Sequence, residues 1–358
     1  MSGRLRVAVV GCGDISKQYG PTLAPYADRV DIRGATDLQR DRAESWTHEF
    51  GGRVYDSLDE ILDDDTVDTV LNLTIHQAHK EVIERSLLAG KHVFSEKPLT
   101  IAPDDAQALV GLADAERLRL GCAPVGFCGE AQQTVWKLIR EGSLGKIRLA
   151  YAEVNWGRPE LWHPNPKPFY EVGPVFDVAV YPLTILTAIF GPARRVTAAG
   201  TTLLEDRMTL DGGSFTPGAP DLAVAFIEWE HGTVARVTAN FYVSYLSRQP
   251  GAIEFHGDDG SLHLGSWFEF NARVQRASYG KRYEDAPLVR EPYEGCEWSR
   301  GLVEMADAVA EDRPHRVTGS HAAHVVEIAA AIHASIDGTG PIELTSTFDV
   351  PEPMGWAR

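Results

Sequence analysis

The chain is expected to form a doubly wound, parallel α/β domain followed by an α+β domain whose sheet is open and mostly antiparallel. Three observations carry this expectation. The length, 358 residues, suits two domains at roughly 100 to 200 residues each. Up to about residue 122, short β-branched runs alternate with helical patterns, as βαβ units require. Beyond it the chain offers alternating strands separated by Gly turns. A boundary near Cys122 follows, with domains over 1–122 and 123–358.

In the first domain five strands are expected, at 6–10, 30–36, 67–73, 92–95 and 118–122. Amphipathic helices lie between them, among them 40–50 and 79–89, the latter stopped by Gly90 in a left-handed C-terminal position. The second domain opens with a helix over 130–141, a strand over 147–155 and a loop rich in Trp, Pro and Asn over 156–168. Strands at 195–201, 221–229, 234–242, 252–256 and 261–264 build its sheet, and helices at 299–311 and 320–335 close the chain. No internal repeat or low-complexity tract interrupts this order.

With 44% hydrophobic and 24% charged residues the composition is that of a globular protein, which excludes wholesale disorder and a membrane protein. The 34 basic and 51 acidic side chains leave a net charge of −17. Such a field repels nucleic acid phosphates and anionic membranes, so neither is expected as a partner, and it also favours solubility. Four cysteines, Cys12, Cys122, Cys128 and Cys296, are too few and too irregular for a disulfide framework and suit a reducing cytosol. The start, Met1 to Arg6, carries no apolar leader. The longest apolar window, 178–193, contains Pro182 and is shorter than a bilayer span, so it reads as a buried helix. A cytoplasmic protein is expected.

The first strand runs directly into Gly11-Cys12-Gly13-Asp14-Ile15-Ser16. In this G-x-G-x-x-S turn Gly11 permits the tight bend and Gly13 lets the backbone approach a pyrophosphate. The backbone amides from Gly11 through Asp14 to Ile15, at a helix N-terminus, face the anion. Ser16 stands where a third Gly or Ala is usual. The second strand ends at Asp37, where a carboxylate can accept the adenosine ribose hydroxyls and repel a 2′-phosphate. NAD is therefore expected in preference to NADP, with Arg40 nearby as a partial offset. The alternative for Asp37 is a turn residue capping the next helix.

The segment Ala89-Gly90-Lys91-His92-Val93-Phe94-Ser95-Glu96-Lys97-Pro98 resembles the AGKHV…EKP signature of the Gfo/Idh/MocA family. Thr74-Ile75-His76-Gln77-Ala78-His79 is similar to the family's T-P-N-x-x-H stretch, with Ile75 and His76 in place of Pro and Asn. Gly173 to Tyr181 resembles the entry to its active-site helix, with D-x-x-x-Y where D-x-x-x-H is usual. The likeness continues through Gly257 to Leu262 and Asp312 to Arg316. It departs at Phe127-Cys128-Gly129-Glu130, where many members carry Arg after the aromatic residue. The resemblance implies an N-terminal Rossmann domain, NAD(P)-dependent oxidation or reduction of sugars or cyclitols, and a homodimer or homotetramer built through the open sheet face. It also implies cofactor contacts at Thr74, His76, His79, Glu96 and Lys97.

Hydride transfer from a secondary alcohol needs a group to take the hydroxyl proton and a fixed geometry at the carbinol carbon. Lys97 follows a parallel strand at the carboxyl edge of the sheet, where ligands bind. Asp177 and Tyr181, spaced i, i+4, share one helix face and interrupt an apolar run. Tyr181 is taken as the general acid/base. Lys97 would lower its pKa from about 10 and bond the reacting oxygen, and Asp177 would orient the pair. The competing assignments are Lys97 as proton acceptor, a capping Asp177 and a core Tyr181. Trp162, His163 and Asn165, in the loop over 156–165, suit a substrate pocket that stacks on a sugar and reads its hydroxyls; a surface loop or an oligomer contact is the alternative. His321, His324 and His333 lack a metal ligand set, and Asp63-Asp64-Asp65 reads as a solvated helix end. The function expected is an NAD-dependent oxidoreductase acting on a ring alcohol or ketone of a sugar, sugar derivative or cyclitol. The alternatives are NAD-dependent glycoside cleavage and a non-catalytic dinucleotide-binding sensor.

Overall fold

The computed structural model describes residues 3–358, so Met1 and Ser2, part of the start read above, lie outside the described residues. Contacts divide the chain into two compact units, one running to Val125 and including Glu297–Ala323, the other Gly126–Cys296 with His324–Arg358. The chain thus returns to its first unit at Glu297, after the 171 residues Gly126–Cys296 in the second, a return that a single cut near Cys122 leaves out.

In the first unit, strands β1 (Leu5–Val10), β2 (Val30–Thr36), β3 (Arg53–Val54), β4 (Thr69–Asn72), β5 (His92–Ser95) and β6 (Leu120–Cys122) form one sheet in the order β3-β2-β1-β4-β5-β6. Every pairing is parallel. Val7, Ala8 and Val9 of β1, and Val70 and Leu71 of β4, are wholly buried, which explains why these strands are continuous apolar runs. Helices α1 (Ser16–Leu23), α2 (Arg40–Phe50), α3 (Leu58–Leu62), α4 (His76–Leu88) and α5 (Pro103–Ala115) make the crossovers. After α4, Gly90 has φ 75, the left-handed stop expected of it. The strand order reverses between β1 and β4, so the ligand crevice of such a sheet lies at the carboxyl ends of those two strands.

The second unit adds α6 (Glu130–Arg140), β7 (Ile147–Asn155), α7 (Lys167–Pro174), α8 (Val180–Phe190) and β8 (Arg195–Thr201). A small hairpin follows, β9 (Arg207–Met208) and β10 (Ser214–Phe215), then β11 (Leu222–Glu228), β12 (Val234–Asn240), β13 (Ile253–Gly257), β14 (Gly260–Leu264), β15 (Val274–Ser278), β16 (Glu284–Asp285), α9 (Arg300–Ala310), α10 (Gly319–Ala334) and β17 (Ile342–Glu343); α9 belongs to the first unit, and α10 starts there and ends in the second. Nine strands form one sheet in the order β16-β15-β14-β13-β7-β12-β11-β8-β17. Only the β7–β12 pairing in it is parallel. Alternation along β7 buries Ala150, Ala152 and Val154 and leaves Tyr151 and Glu153 half-buried on the other face. Helix α8 is almost wholly buried, with Phe190 against Trp229 and Phe255 at 5.3 and 6.0 Å between ring centroids. The helical stretch Lys167–Phe190 is long and apolar enough to cross a membrane by composition, yet 89% of its apolar window is buried inside the protein. It is a core element.

Two histidines are fixed as neutral core groups. His324 Nε2 accepts the Ala193 N–H at 2.9 Å, and His315 Nε2 donates to the Leu120 carbonyl at 3.1 Å. Burial pushes both pKa values down to about 4, against weaker opposing pulls from Glu327 on His324 and from the Leu120 bond on His315. Between pH 6.5 and 4 the unfolded chain binds protons at these rings that the folded chain does not, so stability falls as pH drops through that window. We expect a loss of about 2 kcal/mol per histidine between pH 7 and 5, read as a lower urea midpoint. His324→Gln should flatten that dependence, and a midpoint that does not move would show that these rings protonate without cost. Among the described residues no group of three or more His, Cys, Asp or Glu side chains is placed to hold a metal.

Asp64 is not a solvated helix end. Its carboxylate accepts the Thr66 N–H and hydroxyl and the Tyr55 hydroxyl, and pairs with Arg53. The Thr66 hydroxyl is the largest of the influences that hold it well below the usual carboxylate range.

Candidate active site

Helix α1 begins at Ser16 with no acidic side chain in its first turn, so its N-terminal dipole faces a site that accepts an anion. Gly11 has φ 94, and a Cβ there would come within 2.8 Å of the Leu73 backbone. Only glycine fits. At Gly13 an added Cβ would meet nothing within 4 Å, which leaves the backbone open to close approach by a phosphate. The structure accounts for Ser16 in place of glycine: the residue is fully buried and its hydroxyl donates to the Gly13 carbonyl at 2.7 Å, closing the loop on itself.

Asp37, at the tip of β2, is tied to that loop. Its Oδ2 accepts the Cys12 N–H at 2.7 Å and its Oδ1 the Gln39 N–H at 2.8 Å. Each oxygen retains a lone pair for a sugar hydroxyl. Gln39, not Asp37, occupies the N-cap of α2, and no side chain caps that helix. Arg40 is drawn elsewhere, into ion pairs with Glu44 at 3.0 Å and with Asp56. This set fits a dinucleotide, with the Gly13 turn for the pyrophosphate and Asp37 for the ribose; the nicotinamide of such a cofactor supplies the hydride chemistry.

At the carboxyl ends of β4 and β5 a residue not singled out from sequence organises the loops. Asn72 is fully buried; its Nδ2 donates to Ser95 Oγ at 3.1 Å and its Oδ1 accepts the Thr74 hydroxyl at 2.7 Å. The clue in the sequence is a lone amide in an apolar strand. His79, 1% exposed, has Nδ1 2.7 Å from the Pro98 carbonyl and Nε2 3.1 Å from the Thr74 carbonyl. Burial lowers its pKa against the pull of those two carbonyls, so the neutral ring donates to one of them and bridges the two loops. His76 stands half-buried at the start of α4.

Lys97 is half-buried, and the Lys97–Pro98 peptide is cis. Its backbone N–H donates to Glu96 Oε2 at 3.0 Å, while Glu96 Oε1 accepts the buried Tyr19 hydroxyl at 2.7 Å. Two residues of the AGKHV signature are structural. Lys91 Nζ donates to the Asp64 and Val67 carbonyls at 2.9 and 3.0 Å, and His92 Nδ1 accepts the Arg119 N–H at 3.0 Å.

In the second unit Gly173 (φ 70, ψ 175) breaks α7, and one π-helical turn, Val175–Ala179, precedes α8. Asp177 and Tyr181 thus lie on one continuous helical run, with a π turn in place of its first α-helical turn. Asp177 sits half-buried in the π turn and Tyr181, 8% exposed, in the first turn of α8. Such turns recur at functional sites. The Tyr181 ring packs on Trp267 and Phe268, with centroids 5.3 and 5.6 Å away. Trp162, 46% exposed, and His163 cluster with Phe169, and His163 Nδ1 accepts the N–H of the exposed Asn165 at 3.1 Å.

The loop that carries Trp162 and His163 is anchored from below. Glu160 accepts from Arg158 at 2.8 Å, from Arg207 at 2.7 Å and from the Tyr170 hydroxyl; Arg207 also pairs with Asp221. Arg207, Glu160 and Asp221 have side chains 0 to 1% exposed. Burial opposes the charge on Glu160, but the bonds from Tyr170 and Arg158 outweigh it and hold the carboxyl below its usual range. At Phe127 to Glu130 the chain serves packing: Glu130 is fully buried and paired with Arg290.

Comparison with known proteins agrees with this geometry. The GFO/IDH/MocA oxidoreductase family, described by its NAD-binding Rossmann fold, matches residues 5–123, and the GFO/IDH/MocA C-terminal domain matches residues 132–263. A dTDP-3,4-didehydro-2,6-dideoxy-alpha-D-glucose 3-reductase of Actinomadura kijaniata is 26% identical over 290 residues, 79% of this chain and 81% of the reductase. A scyllo-inositol 2-dehydrogenase (NADP(+)) of Bacillus subtilis is 28% identical over 212 residues, 58% of each chain. In fold, the WlbA dehydrogenase of Bordetella pertussis, solved with NADH and UDP-GlcNAcA, superposes with a TM-score of 0.79 at 22% identity, covering 96% of this chain and 99% of the other. With the β3-β2-β1-β4-β5-β6 sheet, the Gly11 turn and Asp37 in place, the conclusion is direct: this chain belongs to the GFO/IDH/MocA family of oxidoreductases, with an NAD(P)-binding Rossmann domain.

Proposed function

We propose that this enzyme moves a hydride between NAD and a ring secondary alcohol or ketone of a sugar, sugar derivative or cyclitol. The observation that carries the proposal is Tyr181, a nearly buried phenol on an aromatic bed at the start of α8, one turn after a half-buried carboxylate. Tyr181 exchanges the proton of the reacting hydroxyl, Lys97 supplies the positive charge that favours the phenolate, and Asp177 orients them. Tyr19, Glu96, His79 and Asn72 fix the loop that bears Lys97. Trp162, His163 and Asn165 contribute substrate contacts from a loop held by Arg207. The named activities of the relatives, on a dideoxyhexose nucleotide and on an inositol, support this substrate class.

NAD is favoured over NADP because Asp37 is fixed where a 2′-phosphate would be repelled and Arg40 is held by Glu44 and Asp56. Phe226, 49% exposed on the open sheet face among half-buried Val224 and Tyr151, supports association of copies through that face. Four cysteines, none joined in a disulfide, support a reducing, cytoplasmic setting. The test follows NADH absorbance over aldoses, inositols, deoxysugars and glycosides. Net NADH production from a free sugar or cyclitol is expected. Aglycone release without net NADH, or NAD binding with no turnover on the whole panel, would overturn the proposal.

A further inference from the structure

One face of α1 is strapped by the segment that returns after Cys296. Thr22 bonds the N–H and the hydroxyl of Ser299, and the Tyr26 hydroxyl, in the turn that follows α1, donates to Glu297 at 2.5 Å. Glu297, 3% exposed, also pairs with Arg300. Between them the half-buried Trp298 ring lies 6.3 Å from the ring of Tyr19, which is wholly buried. These contacts fix the rotation of the helix about its own axis. The Tyr19 hydroxyl is therefore aimed at one acceptor, Glu96 Oε1, 2.7 Å away.

Glu96 is 5% exposed and its backbone is pinned. Its N–H donates to the Asn72 carbonyl at 2.9 Å, and its carbonyl accepts the Ser95 hydroxyl at 3.1 Å and the Cys122 thiol at 3.6 Å. Its side-chain oxygens are bound by neutral donors, Oε1 by Tyr19 and Oε2 by the Lys97 N–H. The Lys97 ammonium is close. The opposite charges of Glu96 and Lys97 are both felt at the buried His79 ring and at the buried Cys122 thiol, which complete the titratable groups of this unit around them. A buried carboxylate that loses a donor turns to a cation within reach, and a close ion pair cancels much of the field that the cation projects beyond itself. Two neutral donors satisfy Glu96 without engaging the charge of its neighbour.

Resting on Lys97 as the charge that favours the Tyr181 phenolate, we infer that Tyr19 is a positioning residue for proton transfer: its hydroxyl holds the Glu96 carboxylate away from the Lys97 ammonium and keeps that charge directed at the reacting oxygen. Tyr19 acts through Glu96 and Lys97 and exchanges no proton itself.

The test is Tyr19→Phe, which removes one oxygen and keeps the ring against Trp298. In this variant Glu96 turns to Lys97 and the phenolate of Tyr181 forms only at higher pH. The acid limb of kcat/KM for oxidation is expected to move up by about one pH unit. Activity at pH 7 then falls about 10-fold, and above the limb it returns to within about threefold of wild type. A residue that served packing alone would lower the plateau and leave the limb in place. Adding Glu96→Gln, which removes the charge, should bring the limb back to within about 0.3 pH unit of its wild-type position, whatever it does to the plateau. A limb that Tyr19→Phe moves and Glu96→Gln does not restore overturns the inference. Acetylation of Lys97 by acetic anhydride, read by peptide mass spectrometry against the exposed Lys146 and Lys281, tests the same contact without turnover. In Tyr19→Phe the relative rate at Lys97 is expected to fall about 3- to 10-fold as the carboxylate closes on the ammonium. A rate that does not fall overturns the inference. A rate that falls while the limb stays in place upholds the role of Tyr19 and overturns instead the assignment of Lys97 as the charge behind the phenolate.

Discussion

Tyr181→Phe is expected to lower kcat for sugar oxidation by about 10²-fold or more while leaving the dissociation constant of NAD within about twofold of wild type. The substitution removes one oxygen and keeps the ring that packs on Trp267 and Phe268, so no cavity opens in the core. The Gly11 turn and Asp37 belong to the other compact unit and are untouched. The effect falls on kcat because the proton leaves the hydroxyl in the transition state, where the phenolate earns no compensation from ground-state binding. Lys97→Met is the comparator: it keeps chain length, removes the charge and preserves the backbone bond to Glu96. If the two side chains act as a unit, the double variant is scarcely worse than the poorer single one. Near-normal turnover in Tyr181→Phe beside a dead Lys97→Met would move the proton acceptor to Lys97.

The central strands are legible in sequence because burial on both faces makes them unbroken apolar runs. The bounds expected for β2 and β5 coincide with those observed, and β1 begins one residue early. Strands β3, β16 and β17 are two residues each, too short to carry a period; their partners across the sheet define them. The return of Glu297–Ala323 to the first unit is invisible for a different reason. Ser299 is fixed by its hydroxyl donating to the Thr22 carbonyl at 2.7 Å and its N–H donating to the Thr22 hydroxyl at 3.2 Å, a partner 277 positions away. No local pattern announces such a bond.

At the site, residues whose task is set by backbone shape were readable, and those whose task is set by a distant partner were not. Gly11 and Asp37 stand out by position alone. The bond from the Cys12 amide that immobilises Asp37 does not, nor does Asn72, which looks like an ordinary interruption of an apolar strand. Arg207 lies in a two-residue strand, and its buried carboxylates come from positions 47 and 14 residues away. In the AGKHV signature, sequence treats all five residues alike; the structure separates Lys91 and His92, which close backbone loops, from the Glu96-Lys97 pair that follows. The π turn before Tyr181 is not legible either, because a residue spacing of i, i+4 does not distinguish it from an α-helical turn.

Asp37→Ser is expected to reverse cofactor preference, raising kcat/KM with NADP by about 10²-fold or more and lowering it with NAD by about 10-fold. By Coulomb's law at an effective dielectric constant of about 20, one carboxylate a few ångströms from a 2′-phosphate costs several kcal/mol. Relief of about 3 kcal/mol alone corresponds to 10²-fold. The cation that would then receive the phosphate is Arg42, not Arg40. Arg42 is exposed and enters no ion pair among the described residues. It lines a cleft of about 320 Å³ with Cys12, Gly13, Lys17 and Ser45, beside Asp41 and Glu49. Arg40, with Glu44 and Asp56 already on its guanidinium, would have to surrender both. The serine also gives up the short acceptor for the Cys12 N–H, at a cost of about 1 kcal/mol, so a fall of a few degrees in Tm should accompany the switch. Adding Arg42→Ala to Asp37→Ser should abolish the gain with NADP, while Arg40→Ala should leave most of it. If NADP stays poor in Asp37→Ser, the selectivity resides in the shape of the Gly11 to Ile15 turn and not in the carboxylate. The net charge of −17 has little say in that balance, since exposed charges beyond a Debye length of about 8 Å are screened and the choice is made by one carboxylate and one guanidinium at the mouth of the crevice.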